Sequence, residues 1–409
     1  MEVRHMLSAL WRTRTGPILI AIQIAIALAA LVNITYLITQ RLEAYTRPTG
    51  LDIDDIFWVR SIAFATDYDH KSAVQTDLQW LNSLPGVIAA TASNNPPQTW
   101  WGIGMPFSAS PDPKAAKEGA RVFLMTARAI ETLGVKLAAG RTFSPESVAP
   151  PASDFGTALA QWAPEVVITQ AMADRLFPKG DALGKTLYIG LVNKSAKIIG
   201  IIQTLQAAPN SGPFEKFGVQ VVVAPITPPG PNALYLVRTQ PGRRAQVMAQ
   251  VEKELADRVP GRYVEQLQTL TQTASDTRNG MRTSSIVLGI VTLLVLAVSA
   301  LGIFGLAVFN VTTRTKQIGT RRAIGARRFH ILRYFLVENW LVTTSGVVLG
   351  CILALVAGVV MSRTTQAPRL PLYYLVGGVL FVWILGLLAV LLPARRATEI
   401  SPAVATRTV

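Results

Sequence analysis

Four stretches of this chain are almost uninterrupted apolar sequence, at residues 16–40, 285–313, 334–361 and 371–393. A helix needs roughly 20 apolar residues to cross the hydrocarbon core of a bilayer, so each stretch predicts a transmembrane helix. Ahead of the first, Val3, Met6, Leu7, Leu10 and Trp11 recur at helical spacing while Arg4, Ser8 and Arg12 fall elsewhere on the wheel. Residues 1–15 therefore predict an amphipathic helix lying on the membrane surface. The first apolar run has the basic start of a signal peptide, but a cleavable apolar region is normally about 7 to 15 residues long. This run is longer and predicts a retained span.

Between the first and second spans the pattern changes to short alternating runs. Residues 56–64 predict a strand, 72–84 a helix with Val74, Leu78 and Leu81 on one face, and 87–92 a second strand after the Pro85-Gly86 break. The same order returns near the end of the segment: strand 233–238, helix 243–259, strand 262–267. Two βαβ units that bracket a domain pair naturally as a split βαβ, ferredoxin-like layer. The middle, residues 126–228, then reads as an inserted lobe. It opens on a helix near 127–133, passes a Pro/Ala/Ser-rich loop at 144–164 whose composition is that of a disordered segment, and contains strands at 165–168 and 196–202. The fold class predicted is a membrane α-helical protein of four spans carrying an α+β extracytoplasmic domain of two lobes.

Composition agrees with the membrane reading. Half of the 409 residues are hydrophobic, only 15% are charged and the mean hydropathy is +0.36, whereas soluble domains are nearer about 25% charged. The net charge of +15 resembles a nucleic-acid signature until it is divided by segment. The amino-terminal arm, residues 314–333 and the tail after Pro393 hold three, seven and three basic residues against the two acids Glu2 and Glu399. Residues 41–284 hold 24 basic and 21 acidic residues. Positive charge is thus concentrated beside the membrane, as the positive-inside rule requires. Both termini and the 314–333 connector are expected in the cytoplasm, with residues 41–284 and the loop 362–370 outside. No basic face on a folded domain suggests nucleic acid.

Several chemistries are missing. His5, His70 and His330 lie in three separate regions and Cys351 is the one cysteine, inside the third apolar run, so neither a Cys/His metal spacing nor an intrachain disulfide exists. No G-x-S-x-G elbow is present, and Asp52, Asp54 and Asp55 read as a solvated strand entry. The GDALGKT stretch at 180–186 imitates a phosphate-binding loop, but only three residues separate its glycines, a helix precedes it and a strand follows. Trp100-Trp101 reads first as part of a packed loop, with an exposed aromatic contact as the alternative. Glu338, at the start of the third run, reads as a headgroup-level anchor rather than a proton-transfer group. Gly346-x-x-x-Gly350, Gly302 and Gly305 permit close helix approach.

The connector RTKQIGTRRAIGARR, continued to Arg333, has Arg314, Lys316, Arg321, Arg322, Arg327, Arg328 and Arg333 and no acid. Headgroup binding and topology account for part of that charge, and Arg395 and Arg396 in the tail belong to the same membrane-surface set. The order of residues is more particular than headgroup binding needs. It resembles the cytoplasmic connector of MacB/FtsX-type ABC transporter permeases, R-T-R-E-I-G-I-R-R-A-L-G-A followed by an apolar return. VFLMTARAIETLGVKLAAGRTFS at 122–144, VVITQAMADRLFPKGDALGKTLYIG at 166–190 and PARRATEISPAVATR at 393–407 are similar to three further patterns of that family, in the family's order.

The resemblance implies one span, an outer domain with a porter-like lobe (41–125 and 229–284) and a sabre-like lobe (126–228), then three spans. It implies that Gln317, Ile318, Gly319, Arg321, Arg322, Ala323, Ile324, Gly325 and Ala326 form the site that docks on a cytoplasmic ATPase. Gln317 stands where the family's usual residue is Glu, and Thr320 where it is Ile. With no Walker motif here, the expectation is a separate ATPase pair that binds ATP and Mg, no cofactor and no catalysis on this chain, and a second permease copy or paralogue. The function implied is mechanotransmission for export of a periplasmic substrate from a bacterial inner membrane, with a periplasmic adaptor and outer-membrane channel as further partners. Switching of an envelope hydrolase and an ATP-independent receptor are the alternatives.

Overall fold

The computed structural model describes residues 15–192, 194–208, 216–324, 327–365 and 370–399, with the side chains of 15, 321, 322 and 361–365 left out. The surface helix expected over 1–15 and the tail beyond Glu399 lie outside the described residues. In chain order the elements are α1 (Thr15–Thr46), β1 (Ile56–Ala63), α2 (His70–Ser83), β2 (Val87–Ala92), β3 (Ile103–Ser108), β4 (Glu118–Met125), α3 (Ala129–Leu133), β5 (Leu137–Gly140), α4 (Phe155–Ala160), β6 (Glu165–Thr169), α5 (Gln170–Leu176), β7 (Thr186–Ile189) and β8 (Lys194–Ile202). They continue with α6 (Lys216–Val219), β9 (Val221–Pro225), β10 (Ala233–Thr239), α7 (Arg244–Arg258), β11 (Arg262–Thr269), α8 (Leu270–Thr313), α9 (Thr315–Ala323), α10 (Arg328–Thr365) and α11 (Leu372–Glu399). The chain divides into two units, Arg41–Arg282 and Met1–Gln40 with Thr283–Val409.

Within the first unit, β1-α2-β2 and β10-α7-β11 interleave as the repeated pattern predicts. The four strands form one antiparallel sheet in the order β11-β1-β10-β2. Period-2 alternation assigns its faces. Phe57, Val59, Ala90, Tyr235 and Val237 pack with Val74, Leu81, Val247, Val251 and Leu255 of the helices. Ile56, Trp58, Leu234 and Leu236 point the other way and meet Phe123, Met125, Val167, Val221 and Val223. Those five belong to a seven-stranded mixed sheet, β5-β8-β6-β9-β4-β3-β7. Its far face, with Val122, Leu124, Val166, Ile168 and Val222, is covered by Trp162, Met172 and Ala173. The layers are therefore helices, four strands, seven strands, helices.

The boundary of the inserted lobe differs from the one expected at residue 126. Strands β3 and β4 pair with each other, with β7 and with β9, so the insert begins by Ile103. Gly104 and Pro106 interrupt the alternation of β3, and nothing local in β4 says which sheet it joins. The Pro/Ala/Ser-rich stretch 144–164 is ordered rather than disordered: Ser147 Oγ donates to Glu165 at 2.9 Å, Asp154 caps α4 through Thr157 N at 3.0 Å, and Ala163 is fully buried.

His70, at the start of α2, offers a pH test of this unit. Its Nε2–H donates to the Pro228 carbonyl at 3.0 Å and Nδ1 is buried without a partner. Burial holds the imidazole below its ordinary value of 6.5, against the upward pull of the Pro228 bond and of Asp69 and Asp77. The unfolded chain takes up the proton first as pH falls, so the stability contributed by neutral His70 is complete above about 6.5 and is lost as pH drops through the lowered folded value. Thermal unfolding at pH 7.5 and 5.5 is expected to show an acid-induced loss that His70→Gln reduces.

In the second unit all four spans are helical and all four run past their apolar segments, α11 ending at Glu399 rather than at residue 393. The first reaches Thr46 rather than residue 40, α8 begins at Leu270 rather than 285, and α10 covers Arg328–Thr365 rather than 334–361. Apolar run length reports bilayer thickness, and helix continues into polar sequence on either side of it. Leu293, Leu301 and Leu388 are 66%, 68% and 60% exposed, the surface expected to meet acyl chains. The interior is built around α1. A Cβ on Gly346 would lie 2.8 Å from the Ala21 carbonyl and from Ile24 Cβ, and one on Gly350 about 3.0 Å from Leu28. The G-x-x-x-G pair is thus used for close approach within the chain, against α1. Gly346→Val is expected to destabilise the bundle by about 1–3 kcal/mol through overpacking, measured by unfolding in detergent. Gly305→Ala, where a Cβ meets nothing within 4 Å, is expected to be silent.

Candidate functional site

The connector is a short helix seated on one end of the bundle. The backbone bonds Arg314 N→Asn310 O at 3.3 Å and Ile318 N→Arg314 O at 3.0 Å carry the ladder across the junction between α8 and α9. Ile318 is 5% exposed and joins the apolar cluster of Ile331, Phe335, Ala394 and Ala397. Gly319 beside it is also buried, while Lys316, Gln317, Thr320 and Ala323 are exposed. Ile324 follows the helix, bonded to Thr320 O at 3.1 Å, and is 83% exposed. One face of α9 is therefore anchored, and its described residues on the other are exposed. Gly325, Ala326 and the side chains of Arg321 and Arg322 lie outside the described residues. Arg327, Arg328, Arg333, Arg395 and Arg396 are exposed around this end.

Arg314 is placed differently from the exposed Lys316, Arg327, Arg328 and Arg333. Its Nη1 donates to Glu338 Oε2 at 2.9 Å and to the Tyr334 hydroxyl at 3.1 Å, and the Glu338 side chain is only 6% exposed. Arg314 therefore joins the end of α8 to α10 inside the bundle instead of meeting headgroups, and Glu338 is its counter-ion rather than a headgroup anchor. Sequence reasoning singled out both residues and missed the pair. The signal was present: Glu338 is the one acid in the third apolar run, and a carboxylate there needs a partner.

The opposite end of α8 is fixed in the outer domain. It follows β11 without a linker, and Leu270 is fully buried in the core between the two sheets. Trp58 Nε1–H donates to Thr273 Oγ1 at 2.8 Å, and Thr271 Oγ1 donates to Ile53 O at 3.0 Å. From there α8 continues unbroken for 44 residues, about 66 Å at 1.5 Å per residue. The nearby acids have structural duties: Asp52 pairs with Arg238 at 2.7 Å and Asp54 accepts from Thr271 at 3.2 Å.

Trp100 and Trp101 are 69% and 42% exposed, so the packed-loop reading is overturned. They are held by Arg121, which donates to the carbonyls of Thr99 (3.1 Å), Trp100 (3.2 Å), Trp101 (2.8 Å) and Phe217 (3.2 Å). Burial lowers the Arg121 guanidinium to about 10. The GDALGKT stretch leads from a turn into β7, without the helix start that a phosphate cradle needs.

Four spans, an α+β domain between the first and second, and a short helix between the second and third define a permease-type membrane protein. The chain belongs to the family that joins a MacB-like periplasmic core domain, matched over residues 18–254 and so over more than half of its length, to an FtsX-like permease C-terminal domain, matched over 289–402. It is similar to the macrolide export ATP-binding/permease protein MacB of Wolinella succinogenes, 29% identical over 262 residues, covering 60% of this chain and 38% of that protein. It is also similar to the pyoverdine export ATP-binding/permease protein PvdT of Pseudomonas putida, 29% identical over 246 residues, covering 58% of this chain and 36% of that protein. The chain thus spans well under half the length of these relatives. Among solved structures, the periplasmic region of MacB from Actinobacillus actinomycetemcomitans aligns with 58% of this chain and 98% of its own at 11% identity, TM-score 0.32. The extracellular domain of YknZ aligns with 51% and 100% at 14% identity, TM-score 0.31.

Proposed function

We propose that the chain is the permease subunit of an ABC transporter in a bacterial inner membrane, with both termini and α9 in the cytoplasm. A separate ATPase pair holds ATP and Mg and docks on the exposed face of α9. Two permease copies, or this chain and a paralogue, flank that pair. Closure of the ATPases moves α9; Ile318 and the Arg314–Glu338 pair pass the displacement to the bundle, and α8 carries it to the outer domain. The relatives' names, both of export proteins, support export of a periplasmic substrate, with an adaptor and an outer-membrane channel as further partners.

The observation that carries this reading is the two-faced α9 at the end of a helix whose other end is rooted in the outer domain's core. Its test is affinity purification of the tagged chain from native membranes in mild detergent, beside Arg321→Glu/Arg322→Glu. An ABC ATPase is expected with the wild type and absent from the variant. Its reproducible absence from the wild type overturns the reading and favours a receptor, whereas co-purified envelope hydrolase in place of an adaptor moves the function from export to regulation.

A further inference from the structure

The two sheets of the outer domain share a core at one end and part at the other. Along the inner face of β1, Ile56 and Trp58 are sealed against the seven-stranded sheet, and the next positions of the same face, Arg60 and Ile62, line an open cleft of about 580 Å³. Trp101, Ile103 and Phe155 form the facing wall, Pro228 and Pro229 close one side, and Glu265 of β11 stands at the rim. The volume is that of a site for a small organic molecule, and its lining is mostly apolar with one pair of charges.

That pair is unequal in how it is held. The Arg60 guanidinium carbon lies 5.6 Å from the Trp58 ring centroid and 5.9 Å from that of Trp101, so a cation is held between an indole of each sheet's side of the cleft. Its side-chain hydrogen bond among the described residues is one long contact to Glu265 at 3.4 Å. Glu265 is on an edge strand and its side chain is 40% exposed, so the ion pair is weak. A guanidinium offers five donors in a planar fork that fits an oxyanion bidentately. Most of the Arg60 fork is therefore unspent, in a fixed orientation, at the polar end of an apolar cleft.

We propose that this cleft binds an anionic amphiphile. Its carboxylate, sulfonate or phosphate head takes the Arg60 fork, Glu265 turns to water, and its apolar or aromatic body lies along Trp101, Ile103 and Phe155. A cationic head is disfavoured because it would have to expel Arg60 from between the two rings to gain the same contacts. An anion uses donors that Arg60 does not otherwise engage. Arg121 serves the same site as a positioning residue, since its bonds to the carbonyls of residues 99–101 fix the loop that presents Trp101.

The test uses the full chain in lipid nanodiscs without ATP or any ATPase, so its outcome is separate from that of the docking experiment. Naphthalene-2-sulfonate, 2-naphthalenemethanol and 2-naphthylmethylammonium are titrated by ligand-observed NMR, with empty nanodiscs subtracted. The sulfonate is expected to bind about tenfold more tightly than the other two, because only it gains a charge-assisted bidentate contact. Arg60→Gln is expected to remove that preference, about tenfold in affinity, and Trp101→Ala to weaken all three probes. Glu265→Gln, which removes the competing carboxylate, is expected to tighten the sulfonate. Each variant is required to melt as the wild type does; Arg60→Lys, which keeps the charge without the fork, replaces Arg60→Gln if that variant does not. Equal binding of the three probes, sulfonate affinity indifferent to Arg60 replacement, or no binding above empty discs each overturns the proposal.

Discussion

Replacing Asp77 by alanine is expected to lower the stability of the outer domain by about 3–5 kcal/mol, the usual consequence of leaving one partner of a buried ion pair alone. Asp77 and Arg262 are both fully buried at the side chain. The Arg262 Nη1 and Nη2 groups both reach the Asp77 carboxylate, the second at 2.8 Å, and Nη2 also donates to the Leu255 carbonyl at 2.5 Å. Tyr235 donates its hydroxyl to the same carboxylate at 2.5 Å. Burial pulls the Arg262 guanidinium down, but the hydrogen bond and charge of Asp77 outweigh it and hold it above its ordinary range. Burial, with the Asp77 charge and hydrogen bond added, raises the Tyr235 phenol well above its usual value. Without Asp77 a guanidinium would remain buried with no counter-ion, left to the Leu255 carbonyl and the Tyr68 hydroxyl. A loss of this size is a large fraction of a domain's roughly 5–15 kcal/mol. Because the penalty is that of an orphaned charge, Asp77→Leu/Arg262→Met is expected to recover most of it. Denaturant melts of the three proteins check both statements, and a single variant as stable as the wild type contradicts the first.

Arg282→Pro is expected to separate the two ends of the mechanism. Residue 282 is an exposed position inside α8, remote from α9 and from the core that holds Leu270. Proline there removes a backbone bond and clashes with the preceding turn, at a local cost of about 3 kcal/mol, so the lever kinks while both anchors remain. The variant is expected to co-purify with the ATPase as the wild type does and to lose any change in outer-domain hydrogen exchange on adding ATP and vanadate. Arg282→Ala is expected to behave as the wild type. An ATP-dependent exchange change that survives the proline would show that α8 is not the transmitter.

Much of this architecture is visible in the residue pattern. Lipid-length apolar runs mark the spans, and period-2 strands around period-3.6 helices mark the β1-α2-β2 and β10-α7-β11 halves before their pairing is known. What the pattern leaves out has one physical character: it depends on contacts distant in sequence. Asp77 and Arg262 are 185 residues apart, and each alone reads as an ordinary surface charge. The insert boundary was misplaced because strand pairing assigns β3 and β4, and no local periodicity does. Arg314 reads as one more basic residue of the connector until Glu338 is brought beside it. Trp100-Trp101 reads as packing because the Arg121 fork that holds it outward comes from a strand twenty residues further along the chain. The connector was singled out by its motif, and the structure adds that Ile318 is buried and Ile324 exposed.

The central claim is that the outward face of α9 touches an ATPase. A photoreactive benzoylphenylalanine placed at Gln317, exposed on that face, and irradiated in intact cells tests it most directly, with the same residue at Leu293, exposed within the apolar run of α8, as the control. The account predicts a cross-linked species from position 317 that contains an ABC ATPase subunit, lost in the Arg321→Glu/Arg322→Glu background and absent from position 293. Cross-links from position 317 confined to lipid, or to this chain alone, would contradict it.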